Sequence, residues 1–241
     1  IARKAGIVTK IITGDNPLTA KAIAEKIGFK NPQAVSANVL DSMSDKEATE
    51  LIYKTDIFAR AKPNHKYRIV DLLQKSGEVV AVTGDGVNDA PALKAANIGI
   101  AMGLTGTDVS KEAADMILLD DNFATIVSAI EEGRIIYGNI RKFVFFLLSC
   151  NIGEILIVFI SIMMNLPIPL IPIQLLWLNL VTDSFPALAL GTEKGDPDVM
   201  DQKPRNSKEP IINRSMIAEV AVQSLALTAA VLASYIWALN K

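Results

Sequence analysis

At 241 residues the chain is long enough for one or two domains and for a buried core. Its 24 basic and 26 acidic residues leave a net charge of −2, which excludes the basic excess expected of a nucleic-acid binder. The single cysteine, Cys150, excludes an intrachain disulfide and reads as a small residue facing lipid or a neighbouring helix.

Composition changes along the chain. From Ile1 to about Lys142 charged and apolar residues alternate as in a soluble α/β domain, and from Phe143 onward long apolar runs take over. The expectation is a water-soluble part joined to a membrane part. The opening IARKAGIVTKII has no charged-then-apolar leader and no cleavage site, and reads as internal to a longer polypeptide.

Short β-branched runs punctuate the first part. In chain order they are IVTKII (7–12), DIFA (56–59), EVVAV (78–82), IGIAM (98–102) and MILL (116–119), each apolar enough to be buried on both faces, as parallel strands are. Helix signals lie between them. Asn16-Pro17 caps and opens LTAKAIAEKIGF, which Gly28 stops, and Pro63 opens NHKYRIVDLLQKSG, which ends at Gly77. This alternation predicts βαβ units and a parallel sheet with helices on both faces.

Ligands of such sheets bind at the carboxyl ends of the strands. IITGD places Thr13, Gly14 and Asp15 there, and AVTGDGVND places Asp85 and Asp89 there. Gly84 and Gly86 let the backbone turn sharply and approach an anion. Two carboxylates four residues apart can hold Mg²⁺, with waters and phosphate oxygens completing its shell. Lys66 can supply positive charge to a transferring phosphoryl group, and the lone His65 beside it reads as a solvated neighbour.

The second part begins with a stretch, Asn122 to Met164, that contains no proline. One continuous helix of that length would reach about 65 Å, beyond the roughly 30 Å of a bilayer core. Residues 122–142 are therefore expected to project as a helical stalk. Spans are predicted at about 143–164, 171–190 and 217–239, the first two joined by NLPIP (165–169). Arg134, Arg141 and Lys142 precede the first span, and Lys194, Lys203, Arg205, Lys208 and Arg214 lie between the second and third. These cations fall on one side only, which predicts a multi-pass protein of the lipid bilayer with its α/β domain in the cytoplasm.

Polar residues at bilayer depth are costly and mark candidate sites. Asn151 and Glu154 share a face of the first span, and Asn179, Thr182 and Asp183 share one in the second, with Pro172 and Pro186 near its ends. The set is oxygen-only and suits a hard cation. Interhelical hydrogen bonding is the other use of Asn and Thr in membranes.

TGDGVNDAPAL resembles the hinge motif of the P-type ATPases, whose phosphorylation domain has the haloacid-dehalogenase fold. TGD at 13–15, FARAKPNHK at 58–66 and DDNFATIVSAIEEGR at 120–134 match that family in order. The resemblance implies a partial, Rossmann-like α/β phosphorylation domain over residues 1–121, followed by a transmembrane α-helical region. It implies Mg²⁺ as cofactor and ATP as substrate. By resemblance Asp85 binds Mg²⁺, Asp89 positions the phosphoryl site and shares the metal, and Lys66 stabilises the transferred group. Thr13, Gly14, Asp15, Arg60 and Asn88 would line the nucleotide or phosphate pocket.

NIGE…NLVTD is similar to the calcium pumps of the sarco/endoplasmic-reticulum type and their bacterial relatives, and the chain lacks the Cys-Pro-Cys motif of heavy-metal pumps. That likeness implies Ca²⁺ binding by Asn151, Glu154, Asn179, Thr182 and Asp183, with Na⁺, Mn²⁺ or H⁺ as alternative cargo. The family's nucleophile is the aspartate of DKTGT, which does not occur here: Thr13, Thr83 and Thr105, each followed by Gly, are preceded by Ile, Val and Leu. The family's actuator and nucleotide-binding domains are expected upstream in the same polypeptide. The reading is therefore part of an ATP-driven cation pump working through an aspartyl-phosphate, inactive as an isolated piece. The alternative is a non-catalytic membrane module that binds Mg²⁺ or nucleotide.

Overall fold

A computed structural model describes residues 2–206 and 208–241, which fall into two compact units, 2–128 with 202–206 and Ala129–Asp201 with Lys208–Lys241. The first unit is α/β. It alternates β1 (Ile11–Ile12), α1 (Pro17–Lys26), β2 (Ala34–Ser36), α2 (Asp45–Lys54), β3 (Ile57–Ala59), α3 (Pro63–Lys75), β4 (Ala81–Gly84), α4 (Ala90–Ala95), β5 (Ile98–Met102), α5 (Asp108–Ala113) and β6 (Met116–Leu118). All pairings are parallel, but they make two three-stranded sheets, ordered β1-β3-β2 and β4-β5-β6, rather than the single sheet predicted.

Local chemistry sets the helix starts. Asn16 Oδ1 accepts from Thr19 N at 3.0 Å, and Pro17, which has no N–H to satisfy, takes the first helical position. Ser44 and Glu47 make a reciprocal capping box on α2, at 3.4 and 3.0 Å. Gly77 follows α3 with φ 91°, a conformation that favours glycine.

β3 is buried at every position, and its alternation divides the core. Phe58 packs with Ala48 and Ile52 of α2 and Ile69 and Leu72 of α3, whereas Ile57 and Ala59 pack with Ala20 and Ala24 of α1 and with Phe29. Helices thus cover both faces of that sheet. A buried Phe such as Phe58, fully inaccessible, contributes about 1.5–3 kcal/mol.

The second unit is helical. It takes in α6 (Phe123–Met163, 41 residues without interruption) from Ala129 onward, and α9 (Arg214–Leu239), which runs 26. Ser149, Gly153, Ile157 and Ser161 are buried on α6, and Met216, Val220, Ser224, Thr228 and Leu232 on α9, each row at four-residue spacing. Ser224 Oγ donates to Ser149 O at 3.0 Å, so small side chains let these backbones approach.

The second predicted span is not one α-helix. It is α7 (Pro172–Trp177), a π-helical segment Leu178–Asp183, and α8 (Ser184–Gly191). Pro186 has no N–H to bond the carbonyl four residues back, and Ser184 Oγ donates to Asn179 O at 2.9 Å, which supports the wider turn. Among the described residues three helical stretches are long and apolar enough to cross a membrane: Phe123–Met163, Pro172–Gly191 and Arg214–Leu239.

Candidate functional site

β4 delivers the TGDGVND loop at its carboxyl end, and Asp89 organises that loop. Its Oδ2 accepts from Asp85 N and Gly86 N at 3.2 Å each, and its Oδ1 pairs with Lys66 Nζ from α3. Asp89 is 6% exposed, so the pair is partly withdrawn from solvent. Gly84 is required by this packing: a Cβ there would lie 2.4 Å from Asp89 Cβ.

The loop is also held from the other side. Asp85 O accepts from Thr107 N at 2.8 Å and from the buried Ser110 Oγ at 3.1 Å. The segment leading to Thr107 is closed by Asp121, whose Oδ1 accepts from Gly103 N (2.6 Å) and Leu104 N (3.0 Å) and whose Oδ2 accepts from Thr105 N and Oγ1 (2.8 Å each). Desolvation raises the Asp121 carboxyl, but these bonds from Leu104, Thr105 and Gly103 outweigh it and push the pKa down to about 2.

The Asp85 side chain is exposed and takes no hydrogen bond or ion pair among the described residues. Asp89 has both oxygens engaged. Asp85 is thus the carboxylate open to a hard cation, and no cluster of three or more acidic, His or Cys side chains occurs among the described residues to enclose a metal completely. That fits Mg²⁺, which keeps several waters and borrows phosphate oxygens.

The second TGD is tied to the end of β3. Arg60 N donates to Asp15 O (2.8 Å), Ala61 N to Thr13 O (2.9 Å), and Thr13 Oγ1 to Asp15 Oδ2 (3.1 Å). Arg60 holds a left-handed φ of 52°, a strained value for a non-glycine residue that these bonds stabilise. Gly14 and Asn88 are exposed. Hydrogen bonds join Lys66 to Asp89 and Asp89 to Asp85 N, and Thr13 and Asp15 to the Arg60–Ala61 turn; none joins the two groups among the described residues.

His65 corrects the sequence expectation. It is 1% exposed, not solvated, because His65, Ile69 and Leu72 share the inward face of α3. Sequence reasoning also passed over Thr107, Ser110 and Asp121. Thr107 carries a readable signal as the cap of α5, where its Oγ1 accepts from Ser110 N at 3.3 Å.

In the helical unit Asn179 Nδ2 donates to Glu154 Oε2 at 2.8 Å, joining the first and second predicted spans. Asp183 is 6% exposed and its Oδ2 has no partner among the described residues. A buried carboxylate oxygen of this kind demands a ligand or a proton. Asn151 turns its amide to its own helix, donating to Leu147 O at 2.7 Å, and Thr182 is exposed. The structure therefore brings Glu154 and Asn179 together and leaves Asn151 and Thr182 without a hydrogen bond to them.

Residues 1–97 match the family model of the haloacid dehalogenase-like hydrolases, and residues 167–241 match that of the cation transporting ATPase C-terminus. The chain is 48% identical over 236 residues to a calcium-transporting ATPase of Bacillus subtilis, covering 97% of this chain and 26% of that protein. It is 51% identical over 216 residues to calcium-transporting ATPase 1 of Bacillus cereus, covering 89% and 24%. It is 50% identical over 222 residues to human calcium-transporting ATPase type 2C member 1, covering 91% and 24%. The chain thus spans about a quarter of the length of these relatives. With the haloacid-dehalogenase signature at one end and the cation-ATPase membrane signature at the other, the chain belongs to the P-type cation-transporting ATPase family.

Proposed function

We propose that this chain carries part of the phosphorylation site and part of the cation path of an ATP-driven pump, with Ca²⁺ as cargo. The observation that carries the reading is the convergence of Lys66, Asp89 and the Asp85–Gly86 backbone at the end of β4. Lys66 offers its ammonium to a transferring phosphoryl group, Asp89 holds that ammonium and the loop in register, and Asp85 faces outward to take Mg²⁺. Bound there, Mg²⁺ would neutralise charge on the phosphoryl oxygens. Thr13, Gly14, Asp15, Arg60 and Asn88 would contact phosphate or nucleotide.

The nucleophile is proposed to come from a DKTGT strand elsewhere in the parent polypeptide. Two features support this. β1 and β4 each occupy a sheet edge, and each leads into a Thr-Gly-Asp, Thr13–Asp15 directly after β1 and Thr83–Asp85 at the end of β4. An open strand edge is a template for another strand, and one lying beside both would bring its carboxyl end to both TGD loops.

In the membrane the unpartnered Asp183 oxygen and the Glu154–Asn179 pair supply hard ligands, and the π-helical segment loosens the backbone around them. Asn151 and Thr182 would join by rotation of their side chains. The α/β unit lies in the cytoplasm on this reading, beside actuator and nucleotide-binding domains of the same polypeptide. The test is labelling with γ-phosphate-labelled ATP. The full-length protein should form a Ca²⁺-dependent acyl phosphate and isolated residues 1–241 none; acid-stable labelling of the isolated chain would contradict the proposed source of the nucleophile.

A further inference from the structure

His65 is buried, titratable and used by nothing in the mechanism above. Its two ring nitrogens are differently engaged. Nδ1 accepts from Lys62 N at 3.2 Å, so the proton sits on Nε2, which donates to Asp41 Oδ1 at 2.9 Å. Lys62 is the cap of α3, and its carbonyl accepts from His65 N at 3.0 Å and from Lys66 N at 3.2 Å. The ring therefore fixes the residue from which the Lys66 backbone hangs. Arg68, one turn on, donates to Leu40 O and, at 2.8 Å, to Met43 O, docking the same helix start on the segment that carries Asp41.

We infer that His65 is a positioning residue for phosphoryl transfer: in its Nε2–H form, held by Asp41, it caps the first turn of α3 and so sets the Lys66 ammonium on Asp89. The inference rests on reading Lys66 and Asp89 as the phosphoryl site. Its geometric basis is a relay of three hydrogen bonds, Asp41 to the ring, the ring to Lys62, and Lys62 to Lys66, that ends one side chain from the reacting group. The carboxylate at the far end is half-exposed, with a side-chain accessibility of 51%, so it can anchor the ring without a deep burial cost.

The substitutions that separate the two ring nitrogens give the test. In His65→Asn the amide oxygen falls where Nδ1 lies and keeps the Lys62 bond; in His65→Gln the amide reaches towards Asp41 and the Lys62 bond is lost. In the full-length pump, inhibition by orthovanadate, which mimics five-coordinate phosphorus, reads the phosphoryl site, and calcium half-activation reads the membrane site and the integrity of the fold. His65→Gln should weaken vanadate inhibition about five-fold or more while His65→Asn stays within about two-fold, both with unchanged calcium half-activation. Asp41→Ala leaves α3 untouched but frees the ring to take the Nδ1–H tautomer, which cannot accept from Lys62 N as the amide oxygen in His65→Asn still does; it should weaken inhibition about three-fold and covers the case in which His65→Gln does not fold.

Lys66→Ala is the reference. If it weakens vanadate inhibition and His65→Gln and Asp41→Ala do not, the positioning role is wrong and the site reading stands. If Lys66→Ala leaves vanadate inhibition at the wild-type level, the site reading and this inference fall together.

Discussion

Lys66 on α3 and Asp89 at the end of the TGDGVND loop form an ion pair across 23 residues of sequence, which ties α3 to the loop that follows β4. Removing the cation leaves a nearly buried carboxylate with only two backbone N–H donors. Lys66→Ala should therefore lower phosphoenzyme formation by roughly 10²-fold and cost about 1–3 kcal/mol of stability. Lys66→Arg should retain most of the stability but less of the activity, because a planar guanidinium cannot occupy the position of a compact ammonium. Rapid-quench phosphorylation and thermal unfolding of the same variants separate the two effects.

Gly84 and Gly86 make a paired prediction. A Cβ at Gly84 meets Asp89 at 2.4 Å, whereas at Gly86 the nearest atom is 3.8 Å away. Gly84→Ala should destabilise the protein by about 1–3 kcal/mol and displace Asp89, while Gly86→Ala should fall within about 1 kcal/mol of wild type. Thermal unfolding of both variants checks the contrast. Equal behaviour would mean that the loop is not packed as described.

Asp121 predicts a pH dependence. Its folded pKa lies near 2, below the ordinary 3.8, so its contribution is present above about pH 4 and is lost as pH falls from about 4 towards 2. In Asp121→Asn that portion of the acid sensitivity should disappear, and the variant should be less stable than wild type at neutral pH. Denaturant unfolding of both proteins at intervals between about pH 5 and pH 2 measures the difference. Parallel curves over that window would show that Asp121 does not hold the 103–105 loop.

Much of this arrangement was legible in the amino-acid sequence. The starts at Asn16-Pro17 and Pro63, the apolar run Ile98–Met102 and the two TGD loops are local signals, each written by the residues that form the element. β2 was not legible, because Ala34–Ser36 is three residues long and carries no hydrophobic pattern. Nor was the division into two sheets, since strand pairing is set by contacts distant in sequence. The capping box of α2 and the inward spacing of His65, Ile69 and Leu72 are local signals as well. In the membrane the acidic residues stood out for their cost there, whereas the π-helical turn at Leu178–Asp183 depends on Pro186 and on the Ser184–Asn179 bond together.

The α6–α9 contact predicts a modest stability effect. Ser224 Oγ is fully buried and donates to Ser149 O, and in membranes such bonds contribute about 0.6 kcal/mol on average. Ser224→Ala should cost about that much, and Ser224→Leu considerably more by forcing the helices apart. Unfolding in mixed micelles provides the comparison.

If the phosphoryl site and the membrane carboxylates serve one cycle, Glu154→Gln in the full-length protein must alter how calcium drives phosphorylation. The measured quantity is the calcium concentration for half-maximal phosphorylation by ATP, with phosphorylation by inorganic phosphate as the control. The half-maximal calcium concentration should rise about ten-fold or more, with phosphorylation from inorganic phosphate retained. An unchanged calcium dependence would mean that Glu154 takes no part in the calcium-driven step.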